Sequence, residues 1–246
     1  MTRVIKILTV LIFIPSLAFA AIAKQTTDFD DTSSADTSET TNITVDSGSN
    51  LVLVVTYGGA DSNETDRSIS SISCNSGAFT LAAITGAYTA TSTTTTDIWI
   101  AYAPTVGTYD CICTFGGTNL IGNLNYIVFS GVKQTDQPDD VGTNSDASEP
   151  LTIDIITTVS GAVIIDAALA DPDAATSMTP LSGQTETMDA DSASITFGSG
   201  FEIVTTATTY TQQWEFADAT GSWKMSSVAF APASDGIVSP VIMIKE

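Results

Sequence analysis

The sequence predicts an all-β protein: a two-layer antiparallel β-sandwich, jelly-roll-like, built from two pseudo-repeated halves. Three observations predict it. The polar load of the 246-residue chain falls on Thr, Ser, Asn and Gly, while apolar residues make up 43% and charged ones only 14%. Branching at Cβ suits Thr, Val and Ile to a pleated strand. No window beyond the N-terminus sustains the roughly 3.6-residue apolar period of an amphipathic helix. Finally, Thr108-Tyr109-Asp110-Cys111-Ile112-Cys113-Thr114-Phe115 has an echo in Thr209-Tyr210-Thr211-Gln212-Gln213-Trp214-Glu215-Phe216. Both stretches alternate in polarity and run from a Tyr to a Phe.

Residues 1–20 read as a secretory signal peptide. Arg3 and Lys6 make a basic start, an apolar stretch follows over 7–17, and Ala18-Phe19-Ala20 offers a small-x-small cleavage site. The apolar stretch is short of the roughly 20 residues that span a bilayer. No second long apolar run follows, so the mature chain is expected to be secreted, extracellular or on the cell surface, with no membrane span.

The net charge is −21, and loss of Arg3 and Lys6 with the leader takes it to −23. Phosphate backbones and anionic membranes would repel such a chain, which excludes nucleic acid as a partner. The carboxylates leave room for Ca²⁺.

Residues 21–42 read as an acidic Thr/Ser-rich leader, with Asp28, Asp30 and Asp31 clustered in it. It buries little apolar surface, so it is either flexible or an edge segment that pairs only in context. The β-sandwich domain spans 43–233. Its first half, 43–132, opens on the short alternating strand Ile43-Thr44-Val45 and a turn at 46–50. The run Leu51-Val52-Leu53-Val54-Val55-Thr56-Tyr57 is continuous enough to be a buried central strand. Gly58-Gly59 and the residues to 66 read as a polar loop. Segments 69–74 and 79–84 flank Asn75-Ser76-Gly77 as a hairpin. Strands at 97–102, 109–115 and 125–129 complete the half.

Residues 133–150 carry two Pro and five acids and read as a long loop between the halves. The second half, 151–233, repeats the order: 151–156, a turn at Ser160-Gly161, the apolar run 162–169, then 201–204, 210–216 and 223–230. At a constant offset of 101, Thr108/Thr209, Tyr109/Tyr210, Phe115/Phe216 and Phe129/Phe230 coincide. The tail, 234–246, is apolar enough to need cover. It reads as an extra strand on this domain, or one donated to a neighbouring subunit.

The echo also orients the strands. Tyr210, Gln212, Trp214 and Phe216 share one face, so the matching face of Tyr109, Cys111, Cys113 and Phe115 is core, and Ile112 faces out.

The chain has no His, which removes Ser-His-Asp and Cys-His machinery, His-ligated metal sites and the commonest general base. The three cysteines are Cys74, Cys111 and Cys113. An exported chain is expected to form a disulfide, and Cys111 and Cys113 are poorly placed to bond each other. Cys74 therefore pairs with Cys111 or with Cys113, leaving one buried thiol. Ca²⁺ candidates are the loop acids: Asp28/Asp30/Asp31, Asp136/Asp139/Asp140 and, above all, Asp171 and Asp173. A glycoside-acting pair of carboxylates would come from Glu64, Glu149, Glu186, Glu202 or Glu215, none of which sits in a motif. Glycan stacking would need Trp99, Trp214, Trp223 or Tyr126 to be exposed, and all lie in apolar strand contexts.

The outline of strand 51–57, the Ser76-Gly77 hairpin, an Ile98-Trp99 strand ending at Pro104, Gly107-Thr108-Tyr109, and a closing strand followed by Ala231-Pro232 carries a resemblance. The chain resembles uncharacterised exported jelly-roll or lectin-like β-sandwich proteins of environmental bacteria. The resemblance covers most of 43–233 and implies a lectin-like or jelly-roll fold without an activity or functional residues. The expected function is that of a non-enzymatic extracellular structural or surface protein: a matrix, adhesin or fibre subunit that self-associates, or binds a cell-surface polymer, through terminal strand pairing. The alternative is a carbohydrate-binding module assisted by Ca²⁺. A glycoside-acting enzyme comes third.

Overall fold

In the computed structural model, residues 21–32, 38–61, 69–75, 79–86, 94–116, 120–146, 150–170, 177–181, 183–192, 195–217 and 223–234 are described. The signal-peptide and tail readings lie outside them, as do Asp171, Asp173, Glu64 and Glu149.

Among the described residues, sixteen strands build two jelly rolls. The first contains β1 (Ala23–Thr32), β2 (Ser38–Val45), β3 (Val52–Asp61), β4 (Ile69–Cys74), β5 (Phe79–Gly86), β6 (Thr94–Tyr102), β7 (Gly107–Phe115) and β8 (Leu120–Ser130). Their lateral order is β1-β8-β3-β6-β5-β4-β7-β2. The β1-β8-β3-β6 half of that ribbon folds over the β2-β7-β4-β5 half. Strand β5 turns the corner: Phe79, Thr80 and Leu81 pair with β4, while Ala82, Ala83, Thr85 and Gly86 pair with β6 across a bulge.

The second roll repeats the plan with β9 (Asp140–Asp146), β10 (Leu151–Ile156), β11 (Val163–Ala170), β12 (Met178–Pro180), β13 (Thr185–Ser192), β14 (Ile195–Ile203), β15 (Thr209–Phe216) and β16 (Trp223–Phe230). One sheet runs β13-β14-β11-β16-β9 and the other β10-β15-β12. All pairings are antiparallel. The two-layer sandwich is thus realised twice, once per half, and the stack has four layers.

Several pieces of this pattern differ from the sequence reading. Gly58 and Gly59, read as the start of a polar loop, continue β3 as far as Asp61. The segment read as a leader supplies β1 and the first part of β2, which runs on into the strand read at 43–45; their backbones pair with β8 and β7. The segment read as a loop between halves supplies β9, paired with β16. Strand β13 also went unrecognised. All four are mainly polar, and all four lie at the ends of their sheets. An end strand is held by main-chain hydrogen bonds along one side and needs no continuous apolar face.

Three apolar clusters fill the stack. Each roll has its own core, and a third cluster lies between the rolls. Strand β3 sends Leu53, Val55 and Tyr57 into its own core and Val52 and Val54 toward the other roll. Strand β11 does the same, with Ile164 and Ala168 inward and Val163, Ile165 and Leu169 toward β3, β6 and β8. These strands are buried on both faces, which is why they read as unbroken apolar runs. Within the layer, between apolar contacts, polar groups meet in matched pairs: Thr56 Oγ1 donates to Ser199 Oγ at 2.9 Å, Thr96 and Ser226 share a 2.9 Å bond, and Asn125 Nδ2 donates to Thr187 Oγ1 at 2.8 Å.

The rolls are tightly packed at Gly58, where an added Cβ would lie 2.1 Å from Phe197 and 2.8 Å from Leu169. Gly58→Val should therefore destabilise the chain by about 1–3 kcal/mol in chemical denaturation. Thr44→Val, on an exposed outer face, should stay within about 0.5 kcal/mol.

Candidate functional site

The outer sheet of the first roll carries the disulfide. Cys74 on β4 lies opposite Cys111 on β7 in register, and the two are bonded, which settles the pairing left open between Cys111 and Cys113. Cys113 is free and buried. As the register argument required, Tyr109, Cys111, Cys113 and Phe115 are all buried while Ile112 is 41% exposed. Burial pushes the Cys113 thiol far up, and the nearby carboxylates of Asp97 and Glu39 push the same way. It is held as an unreactive thiol, since nucleophilic attack requires the thiolate. The bridge fits folding in an oxidising compartment.

On the solvent side of this sheet, Thr40, Asn75, Asp110 and Ile112 line an open depression of about 420 Å³. Its polar groups are tied together: Asn42 Nδ2 donates to Asp110 Oδ1 at 2.9 Å, and the Asp110 amide donates to Asn75 Oδ1 at 2.8 Å.

The aromatic candidates for glycan stacking are all inside: Trp214 and Trp223 are 0% and 1% exposed, Tyr126 2% and Trp99 8%. The described loop acids serve the main chain. Asp139 accepts from the Thr158 amide at 2.7 Å and its hydroxyl at 2.6 Å; Asp140 accepts from the amides of Val141 and Ile156. Asp136 reaches Lys133 at 3.8 Å. Among the described residues no three His, Cys, Asp or Glu side chains gather where a metal could be held. Glu186, Glu202 and Glu215 lie on β13, β14 and β15, and Glu215 points to solvent.

The chemistry that sequence reasoning missed is in the second roll. Asp166, in the middle of the apolar strand β11, is fully buried. Trp214 Nε1, from the outer sheet, donates to its Oδ1 at 3.1 Å, and Gln184 Nε2, from the turn before β13, donates to Oδ2. The Gly200 amide bonds the same carboxyl. Beside it, Gln212 Nε2 donates to Glu202 Oε2 at 3.2 Å. Asp166 therefore fastens the two sheets of the second roll together through Trp214. The signal was present in Ile164-Ile165-Asp166-Ala167-Ala168: a lone acid in a run that must be buried on both faces.

Burial lifts the Asp166 carboxyl to about 8, and the charge on Glu202 adds to this; the bonds from Trp214, Gly200 and Gln184 pull the other way without overcoming burial. Glu186 and Asp189 on β13 are also raised, each by burial first and then by a neighbouring acid.

Asp166 keeps a proton in the folded chain that the unfolded chain releases near 3.8. Its stabilisation is full below that value and is lost as pH rises to about 8. Thermal unfolding should therefore show stability falling across this window, and Asp166→Asn should flatten the fall, leaving the smaller part due to Glu186 and Asp189. In native protein Cys113 should resist alkylation. Unfolding without reductant should expose one thiol per chain, and unfolding with reductant three.

Comparison with protein-family models, with curated proteins and with solved structures finds no match to this chain.

Proposed function

We propose that the protein is a non-enzymatic structural subunit of an extracellular or cell-surface assembly. The observation that carries this reading is the back-to-back joining of two complete jelly rolls through a shared apolar layer. Such a block is stiff, because sliding one roll on the other would break both the apolar contacts and the paired hydroxyls between them. It presents two outer sheets facing opposite ways, dressed in short polar side chains: Thr40, Asn42 and Thr44 on one, Thr152, Asp154 and Thr211 on the other. Cross-strand bonds such as Thr211 Oγ1 to Asp154 Oδ1 at 2.6 Å order these faces. The disulfide supports export, as does the basic-then-apolar start of the sequence. The chain ends supply the contacts: the apolar tail sequence 235–246 pairs as a strand with a neighbouring copy.

A glycan-binding reading draws on the depression at Asn75 and Asp110 and on no exposed tryptophan. A surface polymer bound there would be recognised by hydrogen bonds.

Sedimentation and negative-stain electron microscopy of the mature chain, with and without Ca²⁺, test the structural reading. Ordered oligomers or fibres are expected, and truncation after Ala233 should abolish them. A strict monomer at all concentrations, with or without Ca²⁺, would overturn the assembly proposal. A glycan array bound by wild type and lost in Asp110→Ala would favour the second reading instead.

A further inference from the structure

The outward face of the first roll's outer sheet carries a row of amide and carboxylate groups. Asn42 on β2 stands opposite Asp110 on β7 in register, and Asn75 follows Cys74 at the end of β4. The row Asn42–Asp110–Asn75 therefore crosses three strands. Adjacent strands lie about 4.8 Å apart, so the ends of the row are roughly 10 Å from each other. Two residues along β7 on the same face comes the exposed Ile112, with Thr40 opposite it.

The bonds inside the row decide what it presents outward. A carboxylate only accepts, so the Asn42 atom on Asp110 Oδ1 is Nδ2, at 2.9 Å, and Asn42 Oδ1 is left over. A backbone amide only donates, so the Asn75 atom on the Asp110 amide is Oδ1, at 2.8 Å, and Asn75 Nδ2 is left over. Read across the sheet, the row offers acceptor, acceptor, donor: Asn42 Oδ1, Asp110 Oδ2 and Asn75 Nδ2.

The row is also held in place. The Asn75 amide donates to the Asp110 carbonyl at 2.8 Å, so these two residues are bonded twice. Their chain neighbours Cys74 and Cys111 are joined covalently on the buried side of the sheet. Asn75 has a φ of 43°, in the left-handed region that asparagine and glycine enter most readily.

Resting on the glycan-binding reading of this depression, we propose that the row Asn42–Asp110–Asn75, clamped from beneath by the Cys74–Cys111 bridge, is a subsite for one neutral pyranose unit taken by two adjacent hydroxyls. A hydroxyl both donates and accepts. One donates to Asp110 Oδ2 while accepting from Asn75 Nδ2, and its neighbour donates to Asn42 Oδ1. The C–H face of the ring lies on Ile112. The depression, about 420 Å³, falls within the roughly 300–1,000 Å³ of small-molecule sites. Uronates and sialic acids are disfavoured, because Asp110 would face their carboxylate and the chain's charge of −21 repels it further. Donors and acceptors fixed before the sugar arrives lower the ordering cost of binding it.

A printed array of neutral, uronate-bearing and sialylated glycans, probed with a dilution series of the oxidised mature chain, tests the subsite. Binding confined to neutral glycans with a free pair of adjacent hydroxyls is expected. Asn75→Gly keeps the backbone conformation and removes both ends of the amide. It should weaken the apparent affinity by about five- to tenfold. Cys74→Ala combined with Cys111→Ala should weaken it as well, by releasing the row. Binding to no glycan overturns the glycan-binding reading and the subsite with it. Binding that extends to acidic glycans, or that Asn75→Gly leaves unchanged, overturns the subsite while the glycan-binding reading stands. Binding unchanged in the double cysteine variant overturns the clamp. Should that variant fail to fold, Asn75→Gly decides the matter.

Discussion

The fold depends on one constraint: the inner sheets of both rolls are buried on both faces. Strands β3 and β11 each serve two cores at once, so neither face can carry an unpaired polar group without cost. The apolar rows satisfy this by composition. The polar groups within the layer satisfy it by pairing, with Thr56 against Ser199, Thr96 against Ser226 and Asn125 against Thr187. Apolar contact alone would tolerate a slip of one sheet over the other. Hydroxyls and amides that must meet specific partners do not, so the polar pairs set the register between the rolls while the apolar rows supply most of the burial energy.

The same demand for filled space explains how the halves diverged. At the offset of 101, Trp99 corresponds to Gly200 and Cys113 to Trp214. In the first roll the large ring comes from β6 and the facing strand β7 carries a small side chain. In the second the large ring comes from β15, and its edge lies 3.3 Å from where a Cβ on Gly200 would be. A second exchange involves the ring that packs on the shared Phe. Tyr57 stacks near Phe115 with its ring over Gly122, whereas Trp223, at the position matching Gly122, stacks on Phe216 at 4.8 Å. Each exchange moves bulk from one strand to its neighbour and keeps the roll filled, the kind of substitution that cores tolerate best. The second roll's acid follows from the first exchange. A tryptophan on β15 brings an indole N–H into the core, and a glycine at 200 leaves its backbone amide open to a carboxyl. Asp166 is what those two donors hold.

Much of the fold was legible in the sequence wherever a strand had to bury a face. The runs at 51–57 and 162–169, the alternation at 109–115 and 210–216, and the inward Cys pair all follow from burial, and the structure reproduces them. Strands β1, β9, β13 and the start of β2 were hidden because main-chain pairing imposes no pattern on polar side chains. The disulfide partner was narrowed to two cysteines by strand geometry, and only the register of β4 on β7 could choose between them. Asp166 was visible as an anomaly inside an apolar run, yet its partners come from two other strands and a turn, separated from it by 18 to 48 residues. Such a site is written in the tertiary fold and not in local spacing.

The two rolls are consequently braced by different chemistry at matching places. In the first, Cys111 on β7 joins β4 through a covalent bond that is indifferent to pH. In the second, the residue matching Cys111 is Gln212, and that strand is fastened instead through Trp214, one step along, to a carboxyl whose charge depends on pH. The covalent brace constrains the unfolded chain by closing a loop across 37 residues, so its benefit is largely independent of solvent acidity. The polar brace acts only in the folded chain and varies with the proton. Because the apolar layer couples the rolls into one block, loosening either brace is opposed by the other roll, and the disulfide-braced half limits how far a proton change in its neighbour can propagate.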